Sequence, residues 1–214
     1  MSTISALSLA KLQVQEYSLN SIVERQMAQE PTHVIVRKLQ SHRPDFRLSA
    51  ARALELKKDP EASRALINAL SDTDTKIRAA AALALGEMED KNTANLLIEN
   101  LNNKNHLVRI GAIIALGKIG DQETVLPLIG KLNDDNENAR FATISSLGKI
   151  GGKAALQALV DTLSDKDHLV RISVIETLVH ELGDKDAIEP ITQLLEDENS
   201  EVRETARWAL QELI

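Results

Sequence analysis

Arginine recurs along this chain at a nearly constant interval: Arg47, Arg78, Arg109, Arg140, Arg171 and Arg203 stand 31, 31, 31, 31 and 32 residues apart. A fixed period of this length marks a repeat architecture, in which each unit buries its apolar face only by stacking on its neighbours. The intervening units read SDTDTKIRAAAALALGEMEDKNTANLLIENL, NNKNHLVRIGAIIALGKIGDQETVLPLIGKL, NDDNENARFATISSLGKIGGKAALQALVDTL and SDKDHLVRISVIETLVHELGDKDAIEPITQLL. Any fold proposed for the chain must respect that period.

Each unit carries two helical patterns. Around the arginine, apolar residues fall one before it and three, seven and ten after it, as in Ile77, Ala81, Leu85 and Met88, which is one face of a 3.6-residue helix. Asp74, Asn105, Asn136, Asp167 and Asn199 stand four before the arginine, placed to cap that helix by accepting a backbone N–H. Gly86, Gly117 and Gly148, followed by Gly120 and Gly151, predict its end and the turn. In the second helix the predicted core is Leu97, Ile98 and Leu101, matched by Leu128, Ile129 and Leu132 and by Leu159, Val160 and Leu163. Antiparallel helix pairs sharing one seam predict an all-α chain, an α-solenoid wound as a right-handed superhelix.

The ends fit the same frame. Counting back one period from Leu66, Ile67 and Leu70 lands on Ile35, Val36 and Leu39, so residues 32–39 read as the second helix of a degenerate unit. Its first helix would be residues 4–29, with Leu12, Leu19, Ile22, Val23 and Met27 at helical spacing and Glu16 in the arginine position. At the other end, Ile110 and Ile113, Phe141 and Ile144, and Ile172 and Ile175 give way to Glu204 and Arg207, as a terminal cap requires. The expectation is one domain: a capping repeat over 1–40, five full repeats over 41–195 and a half repeat over 196–214.

Composition narrows the function classes. With hydrophobic residues at 43% but aromatics at 2%, the interior must be built from Leu, Ile, Val and Ala, which suits helices over a β-sandwich. The absence of cysteine removes disulfides and thiolate chemistry. Net charge is -7, and residues 45–214 carry 29 acidic against 20 basic side chains, a balance that repels a phosphate backbone. Nucleic acid is therefore not the expected partner. No apolar run reaches bilayer length and the N-terminus has no targeting pattern, so the expectation is a soluble, cytoplasmic protein with no membrane partner.

The 31-residue period, the Asx cap, the Val-Arg pair and the ending Ala115-Leu116-Gly117-Lys118-Ile119-Gly120-Asp121 resemble the short HEAT repeats of the phycobilin-lyase type over residues 41–214. The resemblance implies a HEAT-like solenoid. For activity it implies a phycobilin lyase subunit or chaperone-like factor for bilin attachment, with a bilin as cofactor and a light-harvesting protein as partner. Similar repeats build adaptor proteins and also deoxyhypusine hydroxylase, whose several His-Glu pairs hold two metals. Here only His180-Glu181 has that form, which cannot supply such a site, and no metal is expected.

The arginine ladder, in register with the core of an acidic body, reads as structural, each guanidinium reaching Asx caps and carbonyls of adjacent units. His106 and His168 lie two repeats apart, about 20 Å at roughly 8–10 Å per helix layer, so they cannot share a metal and read as solvent-facing. Trp208, the lone indole, reads as covering the last seam or as a partner anchor. The second helices, which line the concave side of such stacks, carry Ala65, Leu96, Pro127, Ala158 and Pro190 at the central exposed position, with Leu126 and Leu194 beside it. Around this spine lie Arg64, Asn68, Asn95, Glu99, Lys131, Gln157, Asp161, Glu189 and Gln193. Small residues and proline could merely suit a tight curve; alternatively, a weakly apolar floor with a polar rim is what a protein-binding groove needs. With no recognisable catalytic set, the leading expectation is a non-enzymatic scaffold that binds another protein along this groove without a cofactor. The bilin lyase is the alternative.

Overall fold

The computed structural model describes residues 22–57, 59–88, 91–183 and 185–213, and every regular element in them is helical. They form two compact units, one ending at Asp90 and one beginning at Lys91. In the first, residues 22–27 are helical and are followed by α1 (Thr32–Lys38), α2 (Pro44–Glu55), α3 (Pro60–Ala69) and α4 (Thr75–Glu87). The second holds α5 (Lys91–Asn100), α6 (His106–Ile119), α7 (Val125–Ile129), α8 (Glu137–Ile150), α9 (Lys153–Thr162), α10 (His168–Thr177), α11 (Ile188–Gln193) and α12 (Ser200–Leu213). Even-numbered elements are the arginine-bearing first helices, and odd-numbered ones are the second helices.

Packing follows the repeat. Within each unit first helices lie against first helices, α2 on α4 in the first and α6, α8, α10 and α12 in order in the second, while second helices flank them, α1 beside α3 in the first and α7 beside α9 in the second. The seam between the two rows is filled by aliphatic side chains such as Leu54, Leu66 and Ile77 in the first unit and Leu97, Ile113, Leu128 and Ile144 in the second, all fully buried.

The predicted caps are in place. Asp74, Asn105, Asn136, Asp167 and Asn199 each accept a backbone N–H of the helix they precede, at 2.8–3.2 Å. Each satisfies one of the donors that a helix start leaves unpaired. In α12, Glu204 and Arg207 are exposed where the preceding first helices carry Ile or Phe. Of the proposed N-terminal cap, Met27 and Ile35 are buried and Glu24 pairs with Arg52 at 2.9 Å, while Leu12, Glu16 and Leu19 lie outside the described residues.

Two glycines behave differently from the expectation. Gly117 and Gly148 do not end their helices but lie buried inside them, against the next first helix, whereas Gly86 is the penultimate residue of α4. A Cβ on Gly117 would collide with the Ser146 side chain, and one on Gly148 with Thr177. The physical requirement is close approach, not a turn. The Ser146 hydroxyl uses that proximity to donate to the Ile113 carbonyl at 3.1 Å. Helix termination falls to Gly120, whose left-handed φ of 72° closes α6.

The arginine ladder is structural, but its partners differ in part from those expected. Each arginine sends Nη1 to the carbonyl six residues before it: Arg78 to Asp72, Arg109 to Asn103, Arg140 to Asp134, Arg171 to Asp165 and Arg203 to Asp197, at 2.7–3.0 Å. In three of these repeats that same residue, not the cap two positions later, also receives the arginine of the preceding repeat on its carboxylate. Asp72 takes Arg47 in a bidentate pair at 2.7 and 2.9 Å, Asp134 takes Arg109 at 2.6 and 2.8 Å, and Asp197 takes Arg171 at 2.7 Å. Each of these aspartates also accepts the N–H two residues ahead, an Asx turn that fixes its orientation. Arg140 departs from this arrangement. Arg140 lies 3.5 Å from the cap Asp167, and its Nε has no partner among the described residues.

The extra residue of the fifth repeat is absorbed in a π turn. Residues Leu178–Leu182 continue α10 with one residue too many per turn, closed by the Gly183 N–H donating to the Leu178 carbonyl at 2.9 Å. His180, inside that turn, packs its ring 5.2 Å from Trp208 of α12, so the lone indole sits half-buried against the π turn.

Candidate functional site

The second helices carry the candidate surface, and their sequence explains their shape. Pro127 and Pro190 are each the third residue of a short α-helix, and each helix is preceded by a 3-10 turn, Gln122–Thr124 or Lys185–Ala187. Proline has no N–H to give and fixes φ, so it is tolerated only near a helix start. These elements therefore begin as tight 3-10 turns and become α-helical around the proline.

The predicted spine is only partly exposed. Ala65 and Ala158 are buried, at 9% and 8% exposure, so they belong to the packing between helices and not to an open face. Leu96, Pro127, Pro190 and Leu194 are half-buried, and Leu126 stands out at 74%. The polar set is as expected: Arg64, Asn68, Asn95, Glu99, Gln157, Asp161, Glu189 and Gln193 are exposed, and Lys131 is half-buried, donating to Asn102 at 2.7 Å. The departure for alanine has a simple cause. A short side chain draws neighbouring helices together, and their closeness covers it.

Two grooves open between successive second helices of the C-terminal unit. The larger, about 1160 Å³, lies between α9 and α11 and is lined by Gln157, Asp161, Glu189, Pro190 and Gln193 from the expected set. Its apolar floor comes from Leu156, Val160 and Leu194. The smaller, about 550 Å³, lies between α7 and α9 and includes Ile129, Leu132 and Asp161. The sequence pattern places Ile129 and Val160 in the core with their neighbours, but both are only half-buried and line a groove. Sequence periodicity assigns such a residue to the apolar stripe; it cannot say that the stripe is wider than the seam it fills.

Charge in the larger groove is partly closed on itself. Arg171 and Asp197 pair at 2.7 Å with nearly buried side chains. Burial pushes the Asp197 carboxyl upward, but the hydrogen bonds from Arg171 and from the Asn199 amide prevail and hold it below the usual range. Asp161 receives a hydrogen bond from Gln157 at 2.9 Å. Among the described residues no group of three or more His, Cys, Asp or Glu is placed to hold a metal ion, and no helix is long and apolar enough to cross a membrane. His106 is exposed and His168 lies 3.9 Å from its neighbour Asp167.

Two-layered helix pairs, capped by Asx and linked by an arginine–aspartate ladder, define an α-solenoid repeat protein. The sequence matches the HEAT repeats family over residues 33–111, 94–179 and 163–213, and the chain belongs to that family. No curated protein matches the sequence. Among solved structures, it is similar to YibA of Escherichia coli at 25% identity and a TM-score of 0.61, covering 98% of this chain and 76% of that one. The complex of CpcE and CpcF of phycocyanin lyase from Nostoc is similar at 21% identity and a TM-score of 0.52, over 86% of this chain and 77% of that one. Kap95p, in a structure with RanGDP, is similar at 15% identity and a TM-score of 0.61, over 88% of this chain and 31% of that one. At these lower identities the likeness establishes the fold.

Proposed function

We propose that this protein is a non-enzymatic scaffold that binds another protein along the exposed faces of its second helices. The observation that carries the reading is the pair of successive grooves flanking α9, each with apolar side chains between polar ones. An interface core needs apolar surface freed from water, and its rim needs polar groups that keep the unbound protein in solution. The similar CpcE–CpcF structure is itself a complex of two proteins, which agrees with this use of the fold. The reading needs no cofactor: phycocyanobilin added to the purified protein should leave its visible band unshifted.

The test places a photo-cross-linking amino acid at Gln157 or Glu189, which are exposed on second helices, and at Ser145 or Glu176, which are exposed on first helices. In native extract the first pair should trap a defined protein and the second pair should not. Cross-links confined to Ser145 and Glu176, or absent everywhere, overturn the reading.

A further inference from the structure

We propose that the groove between α9 and α11 receives a segment of the partner in which aliphatic side chains are flanked by lysine or arginine. This rests on the protein-binding reading above and names the chemistry of the ligand.

The charge balance points one way. Once the Arg171–Asp197 pair is set aside, Asp161, Asp165, Glu189 and Glu198 line the groove against Lys153 and Lys166. The Asp161 carboxylate is contacted only by a neutral amide, and the carboxylates of Glu189 and Glu198 pair with no cation among the described residues, Arg203 reaching Glu198 only at its backbone carbonyl. These carboxylates border half-buried Leu156, Val160 and Leu194 and outnumber the two lysines, and low-dielectric walls with an excess of one sign of charge focus the field on what enters. A cationic segment gains from that field, whereas an acidic one or a nucleic acid is repelled.

Size and shape select a chain segment. The α9–α11 groove has about twice the volume of the α7–α9 groove, and it lies where the π turn lengthens the connection into its second wall. It exceeds what drug-sized ligands fill, roughly 300–1,000 Å³, and its floor suits aliphatic anchors.

The experiment uses the full chain and fluorescence anisotropy with labelled short peptides. One has central leucines flanked by lysines, a second replaces the lysines with glutamates, and a third replaces the leucines with serines. The lysine–leucine peptide should bind about tenfold more tightly than either of the others, and added salt should weaken it. Combining Asp161→Lys with Glu189→Lys should reduce that binding about tenfold while the protein melts like the parent, whereas Glu176→Lys on a first helix should leave it unchanged. Equal binding of the glutamate or the serine peptide, no loss in the groove variant, or an equal loss in the control overturns the proposal. Cross-linking reads the second-helix face whatever the charge of its ligand. A trapped protein with no discrimination among peptides therefore removes this proposal and leaves the scaffold reading standing.

Discussion

Arg109 grips Asp134 of the following repeat with two parallel contacts, Nε to Oδ2 at 2.8 Å and Nη2 to Oδ1 at 2.6 Å, while the carbonyl of the same Asp134 receives Nη1 of Arg140. One aspartate thus holds the arginines of two successive repeats, one through its side chain and one through its backbone. Asp72 does the same for Arg47 and Arg78, and Asp197 for Arg171 and Arg203.

Removing the shared carboxylate should therefore be costly. Asp134→Ala leaves a nearly buried guanidinium whose only remaining carboxylate is the exposed Asp135, and breaking a buried pair from one side costs roughly 3 kcal/mol. Asp135, 89% exposed, also touches Arg109, yet Asp135→Ala should cost under about 0.5 kcal/mol because that pair lies in water. Urea denaturation followed by circular dichroism measures both, and comparable losses would refute the assignment.

The same carboxylates set an acid limit on stability. Burial pushes Asp134 upward, but hydrogen bonds from Arg109 and the Asn136 amide outweigh it, and the group titrates at about 2. Asp72 and Asp197 are lowered by the same balance of forces. A carboxyl whose folded value lies below its unfolded value of about 3.9 stabilises fully above that value and loses the effect as pH falls through the folded one. Melting temperature should thus drop most between about pH 4 and 2, with Asp134 alone accounting for on the order of 2–3 kcal/mol. The Asp134→Asn variant should melt lower at neutral pH and show a shallower acid slope.

Close approach between first helices gives a third expectation. Gly117→Ala and Gly148→Ala should each cost about 1–3 kcal/mol, since the new methyl meets Ser146 or Thr177 with no room to yield. Gly130 has an ordinary right-handed conformation and only normal contact with the Pro127 carbonyl, so Gly130→Ala should be neutral or stabilise by up to about 1 kcal/mol. Thermal melts of the variants decide it; a neutral Gly148→Ala would sink the packing argument.

Burial separates two further substitutions that look alike in sequence. Ile113 is fully buried in α6, so Ile113→Glu places an unpaired carboxylate in the stack and should cost several kcal/mol. Leu126, at 74% exposure, should accept Leu126→Glu within about 0.5 kcal/mol. Chemical denaturation of both variants provides the check.

The period, helix pairs and caps were legible because each repeats the same local signal: an Asx at one position, an arginine four later, an apolar stripe between. Side-chain destinations were not. From the Arg78 repeat onward the Asx cap and the residue two before it are both acidic or amide, and only geometry shows that Asp72, Asp134 and Asp197, the earlier of the two, take the arginine. Gly117 carries the composition of a terminator, yet its work is done against Ser146, far away in sequence. Of the candidate surface, the polar rim was legible from helical phase. Its floor was not, because Val160 and Ile129 lie at the edge of the stripe, while Ala158 is covered by helices its own small size brings close.

The π turn at Leu178–Leu182 makes counting residues and counting helical turns different operations in this chain. Up to Leu178 a register mark predicts its successor by adding a fixed number; beyond it, every such sum is off by one, and yet Arg203 still finds the Asp197 carbonyl at 2.7 Å. The wide turn works as a phase correction that confines a coding irregularity to a single loop of backbone. An array lengthened by duplicating modules should accordingly copy a stretch that ends before Leu178, since a copy of the fifth repeat would bring a second overwide turn with it.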